Sequence, residues 1–152
     1  MAGLNHDFLL LSRQDYSESD YNSLINDPRA MQIHDDVVRY IGDSLTWIPT
    51  YNPAKKQEGF GLCLYGPTVI RMKGSAQASA IFSAWTNLFL LGTPSLTLTG
   101  AWTEIEGKSE TGNYEKIILQ RDELVDKLQT IGKYAKQVEE SNDNYFLLHL
   151  GI

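Results

Sequence analysis

The sequence predicts an α+β fold of two layers, a mostly antiparallel sheet with helices packed on one face. Three observations lead there. At 152 residues, with 42% hydrophobic residues and three Trp, eight Tyr and five Phe, the chain has material for one core and the size of a single domain spanning 1–152. Two segments, 75–91 and 122–138, place apolar residues at i, i+3, i+4 and i+7, the spacing of a helix with one buried face. Between and around them lie short β-rich runs bounded by Gly, Pro, Asn and Asp, which read as strands joined by turns. Because helices alternate with paired strands, the expected arrangement is an antiparallel sheet covered by helices.

Taken in order, Phe8 to Leu11 is a short apolar run expected to be a strand or an anchoring segment. Ser17 or Ser19 can cap a short helix through Ile25, and Asn26-Asp27-Pro28 stops it, since the residue before proline is pushed out of the helical region. Ala30, Ile33, Val37 and Ile41 then repeat at helical spacing up to Gly42, predicting an amphipathic helix. Residues 47–58 carry Pro49, Pro53 and Lys55-Lys56 and read as a loop with a short strand at its start. Residues 59–65 and 68–70 read as strands separated by Gly66-Pro67, forming a hairpin or one kinked strand. The helix from Ser75 contains Ala78, Ile81, Phe82, Trp85, Leu88 and Phe89 and ends at Gly92 and Pro94. Residues 96–105 and 114–119 are expected to pair as a hairpin with a long acidic tip. A helix follows, with Leu124, Leu128, Ile131, Ala135 and Val138 on one face and Asp122-Glu123 in its first turn, where the dipole favours acids. Residues 145–150 form a last apolar strand, expected to be tied into the sheet.

Composition narrows the function. The net charge is −6, and residues 1–45 hold eight acids against three arginines, a local charge of −5. That field disfavours nucleic acid and suits a basic partner. No apolar run approaches the ~20 residues of a membrane span. The N-terminus lacks the basic start and cleavage site of a signal peptide, so a cytoplasmic location is expected. The one cysteine, Cys63, has no internal disulfide partner and is expected to be a small buried hydrophobe.

No motif specifies catalysis. His6, His34 and His149 are not at metal-binding spacing with another ligand, and the consecutive side chains of His34-Asp35-Asp36 diverge on a helix, so neither a metal nor a cofactor is expected. Gly59-Phe60-Gly61 with Gly66 lacks the Lys and Ser or Thr of a phosphate loop. Gly74-Ser75, near Arg71 and Lys73, opens a helix as an ordinary serine cap or as an anion site. No Gly-x-Ser-x-Gly turn marks a serine nucleophile. Glu104 with Glu106, and Glu139 with Glu140, sit where solvent-exposed charge is expected. Tyr16, Tyr21, Trp47 and Tyr51 lie in polar or loop contexts, where a ring serves edge packing or anchors an interface.

The run Gly61-Leu62-Cys63-Leu64-Tyr65-Gly66-Pro67-Thr68-Val69-Ile70, the helix with Ile81-Phe82-Ser83-Ala84-Trp85 and Leu88-Phe89, and Leu96-Thr97-Leu98-Thr99-Gly100 together resemble small bacterial immunity proteins of contact-dependent and other polymorphic toxin systems. The resemblance covers residues 59–105. It implies a protein without enzymatic activity that blocks a cognate toxin domain, such as a nuclease, by tight binding. An acidic inhibitor would mask the basic surface such a toxin needs for phosphate. Under that expectation the contacts are Asp15, Glu18, Asp20, Asp35 and Asp36, with Glu104, Glu106 and Glu110 as a second patch and Tyr16 and Tyr51 as anchors. Replacing the N-terminal acids by lysine is then expected to abolish binding. The alternatives are a small α+β enzyme or ligand-binding protein, with a pocket between the sheet and the helix of residues 74–91 holding Cys63, Tyr65 or His149, and an assembly subunit using a sheet edge.

Overall fold

The computed structural model describes residues 4–105 and 107–152, with the side chains of residues 108–110 outside the description. The fold is α+β: a mostly antiparallel open sheet with helices packed on one face. Strands β1 (Asn5–Ser12), β2 (Met31–His34), β3 (Pro49–Asn52), β4 (Gln57–Phe60), β5 (Pro67–Ile70) and β8 (Tyr145–Leu150) form a six-stranded sheet in the order β2-β1-β8-β5-β3-β4. The last strand lies in its interior, antiparallel to β1 on one side and β5 on the other. Among the described residues, strands β6 (Ser95–Ile105) and β7 (Lys108–Gln120) pair only with each other.

Helices α3 (Met72–Leu90) and α4 (Arg121–Glu140) pack together over one face, where Phe82, Leu128, Ile131, Ala135 and Val138 meet Phe8, Ile70 and Leu147 of the sheet. A 3₁₀ helix, Glu18–Leu24, crosses the opposite face and buries Tyr21 and Leu24 against Leu9, Leu11, Phe146 and Leu148. Side chains alternate across a strand, so both faces of β1 and β8 are covered, and these strands read as continuous apolar runs for that reason. Ser17 caps the 3₁₀ helix, and its backbone N–H donates to the Asp20 carboxylate at 2.8 Å.

Three expectations change. The helix expected from Ala30 to Ile41 is instead β2 followed by α1 (Asp35–Tyr40) and α2 (Gly42–Leu45). Met31 and Ile33 suit an alternating strand as well as a helix, and pairing with β1, Phe8 opposite Met31 and His6 opposite Ile33, decides between them. The loop of 47–58 contains β3 and the start of β4, and β4 and β5 do not pair: β3 lies between them. Helix α3 starts one turn early, so Gly74 and Ser75 face inward. A Cβ on Gly74 would stand 1.9 Å from the Pro49 carbonyl oxygen, so only glycine permits this approach of helix to strand, while the Ser75 hydroxyl donates to the Met72 carbonyl at 3.0 Å. That arrangement leaves no outward anion cradle at these two residues.

Candidate functional sites at the end of the sheet and on the hairpin

The helix-facing positions of β1 and β8 place two histidines side by side in the core. His6 continues the face of Phe8, and His149 that of Leu147, because each is two residues from its neighbour. Both are buried, and their rings stack with centroids 5.0 Å apart. His6 Nε2 lies 2.8 Å from Asp35 Oδ1 and His6 Nδ1 lies 2.8 Å from His149 Nε2. Arg39 Nε donates to Asp35 Oδ2 at 2.6 Å, one helical turn on.

Burial acts to raise the Asp35 carboxyl, but the hydrogen bonds from His6 and Arg39 outweigh it and hold Asp35 below the usual carboxylate range. An ionised Asp35 accepts from the Nε2–H of His6. A neutral His6 then offers Nδ1 as an acceptor, so His149 donates through Nε2–H. The row thus leaves His149 Nδ1 as a bare lone pair, and this is the one buried side-chain polar atom among the described residues with no hydrogen-bond partner. Burial, then the charge of His6, pushes His149 down to about 3.

Beyond His149 the polar row continues across the sheet. Thr68 is its directly paired neighbour on β5 and accepts the Cys63 N–H at 2.8 Å. Asn52 donates to Cys63 Sγ at 3.2 Å, and a cleft of about 260 Å³ opens there, lined by Thr50, Asn52, Lys55, Cys63 and Thr68 among others. Cys63 is half-buried in an irregular segment rather than enclosed in a strand. His149 lies inside the core and Tyr65 is 71% exposed, so the three residues expected in one pocket occupy three different environments. Among the described residues no group of three or more His, Cys, Asp or Glu is placed to hold a metal ion.

The second site is the hairpin. Its inner half is anchored by the buried Leu96 and Leu98. A register shift between Thr99 and Trp102 sets Trp102 opposite Tyr114, and the two rings meet edge to face at 5.0 Å. A Cβ on Gly112 would come within 2.9 Å of the Trp102 ring and 2.3 Å of the Thr103 carbonyl oxygen, so glycine lets the indole lie against the opposite strand. Trp102 is 47% and Tyr114 60% exposed, with Ile118 also exposed two alternations further along β7. At the base of the hairpin a cleft of about 430 Å³ is lined by Asp36, Arg39 and Tyr40 of α1 and by Thr99, Glu115 and Ile117.

The expected contact residues divide among these regions. Asp15 is exposed just before the 3₁₀ helix and Glu18 is its exposed first residue, where Asp20 accepts from the Ser17 N–H; they lie by the face opposite the helices. Tyr16 accepts from Arg29 and packs against the second core cluster, and Tyr51 underlies the Arg71 guanidinium at 4.1 Å. Asp35 is a correction: it is buried within the histidine row and is not a surface contact, because His6 and Arg39 occupy its oxygens. Asp36 lies instead at the cleft beside the hairpin, and Glu104 is exposed on β6. Glu106 lies outside the described residues, as does the side chain of Glu110.

Sequence reasoning missed His6 and Asp7. A histidine and an aspartate opening an otherwise apolar strand were the available signal, since groups there must find partners when buried. Asp7 does so on the opposite face, accepting from the Asn26 N–H at 3.0 Å and from Gln32 at 3.1 Å. No helix among the described residues is long and apolar enough to cross a membrane. No family model matches the chain, and no curated protein or solved structure matches it.

Proposed function

We propose that the protein binds and neutralises a basic protein partner, in the manner of a bacterial immunity protein facing its cognate toxin, and that the outer half of the β6–β7 hairpin is the principal contact. The observation that carries this reading is the water-exposed Trp102–Tyr114 pair on a two-stranded arm. Exposed aromatic residues on a two-stranded ribbon are among the side chains that dominate binding energy once a partner dries them.

Charge supports a basic partner. The Arg39 charge is matched by the buried Asp35, so Asp36 and Glu115 leave the cleft at the base of the arm acidic, and Glu104 adds to this along β6. Lys116 is a base on β7 between Tyr114 and Ile118. The chain's net charge of −6 steers a cationic protein toward it. Asp15, Glu18 and Asp20, on the far side, would contribute to that steering rather than to the contact.

The test is calorimetric titration of the purified protein with the basic product of the adjacent reading frame. Trp102→Ala with Tyr114→Ala is expected to weaken binding at least ~100-fold, the size of two hot-spot truncations. Lysine at positions 15, 18 and 20 is expected to slow association in a salt-dependent way and change dissociation little. Undiminished affinity of the double alanine variant sinks the reading.

A second reading, a ligand-binding or hydrolytic protein, is favoured by the cleft at Cys63 and Thr68. Rapid reaction of Cys63 with a thiol reagent in the folded protein at neutral pH would support it, and an inert thiol would count against it.

A further inference from the structure

We propose that the row His149–His6–Asp35–Arg39 is an acid-operated latch, which holds the end of the six-stranded sheet closed at neutral pH and releases it when His149 takes up a proton. The row ties together three parts of the chain far apart in sequence. Its members come from β8, β1 and α1, and the same end of the sheet is closed by residues 61–66. Gly151 N–H donates to the Gly66 carbonyl at 2.9 Å and Ile152 N–H to the Leu64 carbonyl at 3.0 Å, while Asp35 N–H donates to the Leu4 carbonyl at 2.8 Å.

The geometry gives no acceptor to a proton added at His149. With both histidines neutral, the hydrogens run in one direction toward Asp35, and every contact in the row has a donor and an acceptor. A hydrogen on both ring nitrogens of His6 would face Asp35 on one side and His149 on the other. His6 Nδ1–H must then donate to His149, and His149 must carry its own hydrogen on Nδ1, which has no acceptor. A second proton would put a second cation in stacked contact with the first, in the core.

Among the described residues no other group relieves that charge. The cross-strand neighbours of His149, Phe8 on β1 and Thr68 on β5, do not ionise. The Cys63 thiol lies past Thr68 against Asn52, and Asp35 and Arg39 lie beyond His6, with Asp36 and Tyr65 near Arg39. The residues that α3 and α4 contribute to the adjoining core, such as Phe82, Leu128 and Ile131, are apolar.

The sign follows from linkage. His149 binds its proton at about 3 when folded and near 6.5 when exposed, so its neutral form stabilises the closed state fully above about pH 6.5. That contribution is lost progressively as pH falls from 6.5 toward 3. Asp35, also held low, contributes above the ordinary carboxylate range and loses its effect only below it. Between pH 6 and 4 His149 therefore makes the dominant contribution, with Asp35 adding to the loss only toward the lower end. One extra proton bound on opening raises the opening constant nearly tenfold per pH unit, about 50- to 100-fold over that interval.

Two measurements on the wild-type chain test this. Ring nitrogen NMR is expected to show His149 neutral in the folded protein down to pH 4, with Nε2 protonated at pH 7. Hydrogen-exchange protection factors, corrected for the intrinsic pH dependence of exchange, are expected to fall about 50- to 100-fold between pH 6 and 4 at Asp35, Cys63, Gly151 and Ile152, and less in the middle of α4. His149→Phe should remove most of that fall while leaving the amides protected at pH 6. Titration of His149 near pH 6.5 in the folded state, pH-independent protection, or a fall of equal size in α4 would each overturn the latch.

Discussion

At the end of the sheet, His6, Asp35 and His149 are withdrawn from water, with Arg39 reaching in from the surface, whereas on the outer half of the β6–β7 hairpin two aromatic rings are left in it. Each region inverts the usual placement, polar groups inside and large apolar groups outside. The two inversions have different physical consequences. A buried polar row has nearly all of its hydrogen bonds made within the chain, so its energy is spent on the fold and depends on protonation. An exposed ring pair has most of its apolar surface still hydrated, so the gain from drying it is available to a partner. Stability and pH response therefore fall to the first region, and the second keeps apolar surface free for the proposed contact.

The largest expected effect is at the row. Asp35→Ala strands the His6 N–H in the core and releases Arg39, and a loss of about 3–5 kcal/mol is expected in urea unfolding at pH 7. A change below about 1 kcal/mol would mean that water reaches His6 readily and that the row is not a dry element. Next comes Leu147→Ala, beside His149 on β8 and fully buried, expected to cost about 2–4 kcal/mol through lost burial and a cavity. Unlike Asp35→Ala it should leave the pH dependence of unfolding unchanged, which separates packing at the sheet's centre from protonation at its end.

The hairpin variants should sit lower. Gly112→Ala forces a methyl group against the Trp102 ring and the Thr103 carbonyl, and about 1–2 kcal/mol of destabilisation is expected from overpacking. Trp102→Ala, with about half of its side chain already in water, should cost less than about 1 kcal/mol in the same assay. If Trp102→Ala instead rivalled Asp35→Ala, the arm would be structural and the contrast between the regions would fail.

The elements whose pattern repeats over several turns were legible in the residues. Leu124, Leu128, Ile131, Ala135 and Val138 predict α4, and the threonine alternation of 96–105 predicts β6, because in each case one face is apolar over its length. Where a run is short the periods coincide: Ala30, Ile33, Val37 and Ile41 satisfy a helix, yet Met31 and Ile33 equally satisfy a strand, and only the edge of β1 settles the matter. Of the proposed contacts, Glu104 and Asp36 were visible as charges, while Trp102 and Tyr114 were hidden among residues of a predicted strand. Their exposure depends on the register shift after Thr99 and on how far the ribbon extends past Leu98.

By itself, the sequence determined the α+β class, the two long helices, the hairpin and the acidic N-terminal third, since composition and periodicity are local properties that any fold of this chain must respect. The tertiary structure alone decided that His6 meets Asp35 across 29 positions and His149 across 143. It also decided that Asp35 points into the core while Asp36 faces the hairpin. Placing β8 between β1 and β5 aligns two histidines on one face, and no local pattern encodes which strands become neighbours, because pairing is settled by the burial of the whole sheet.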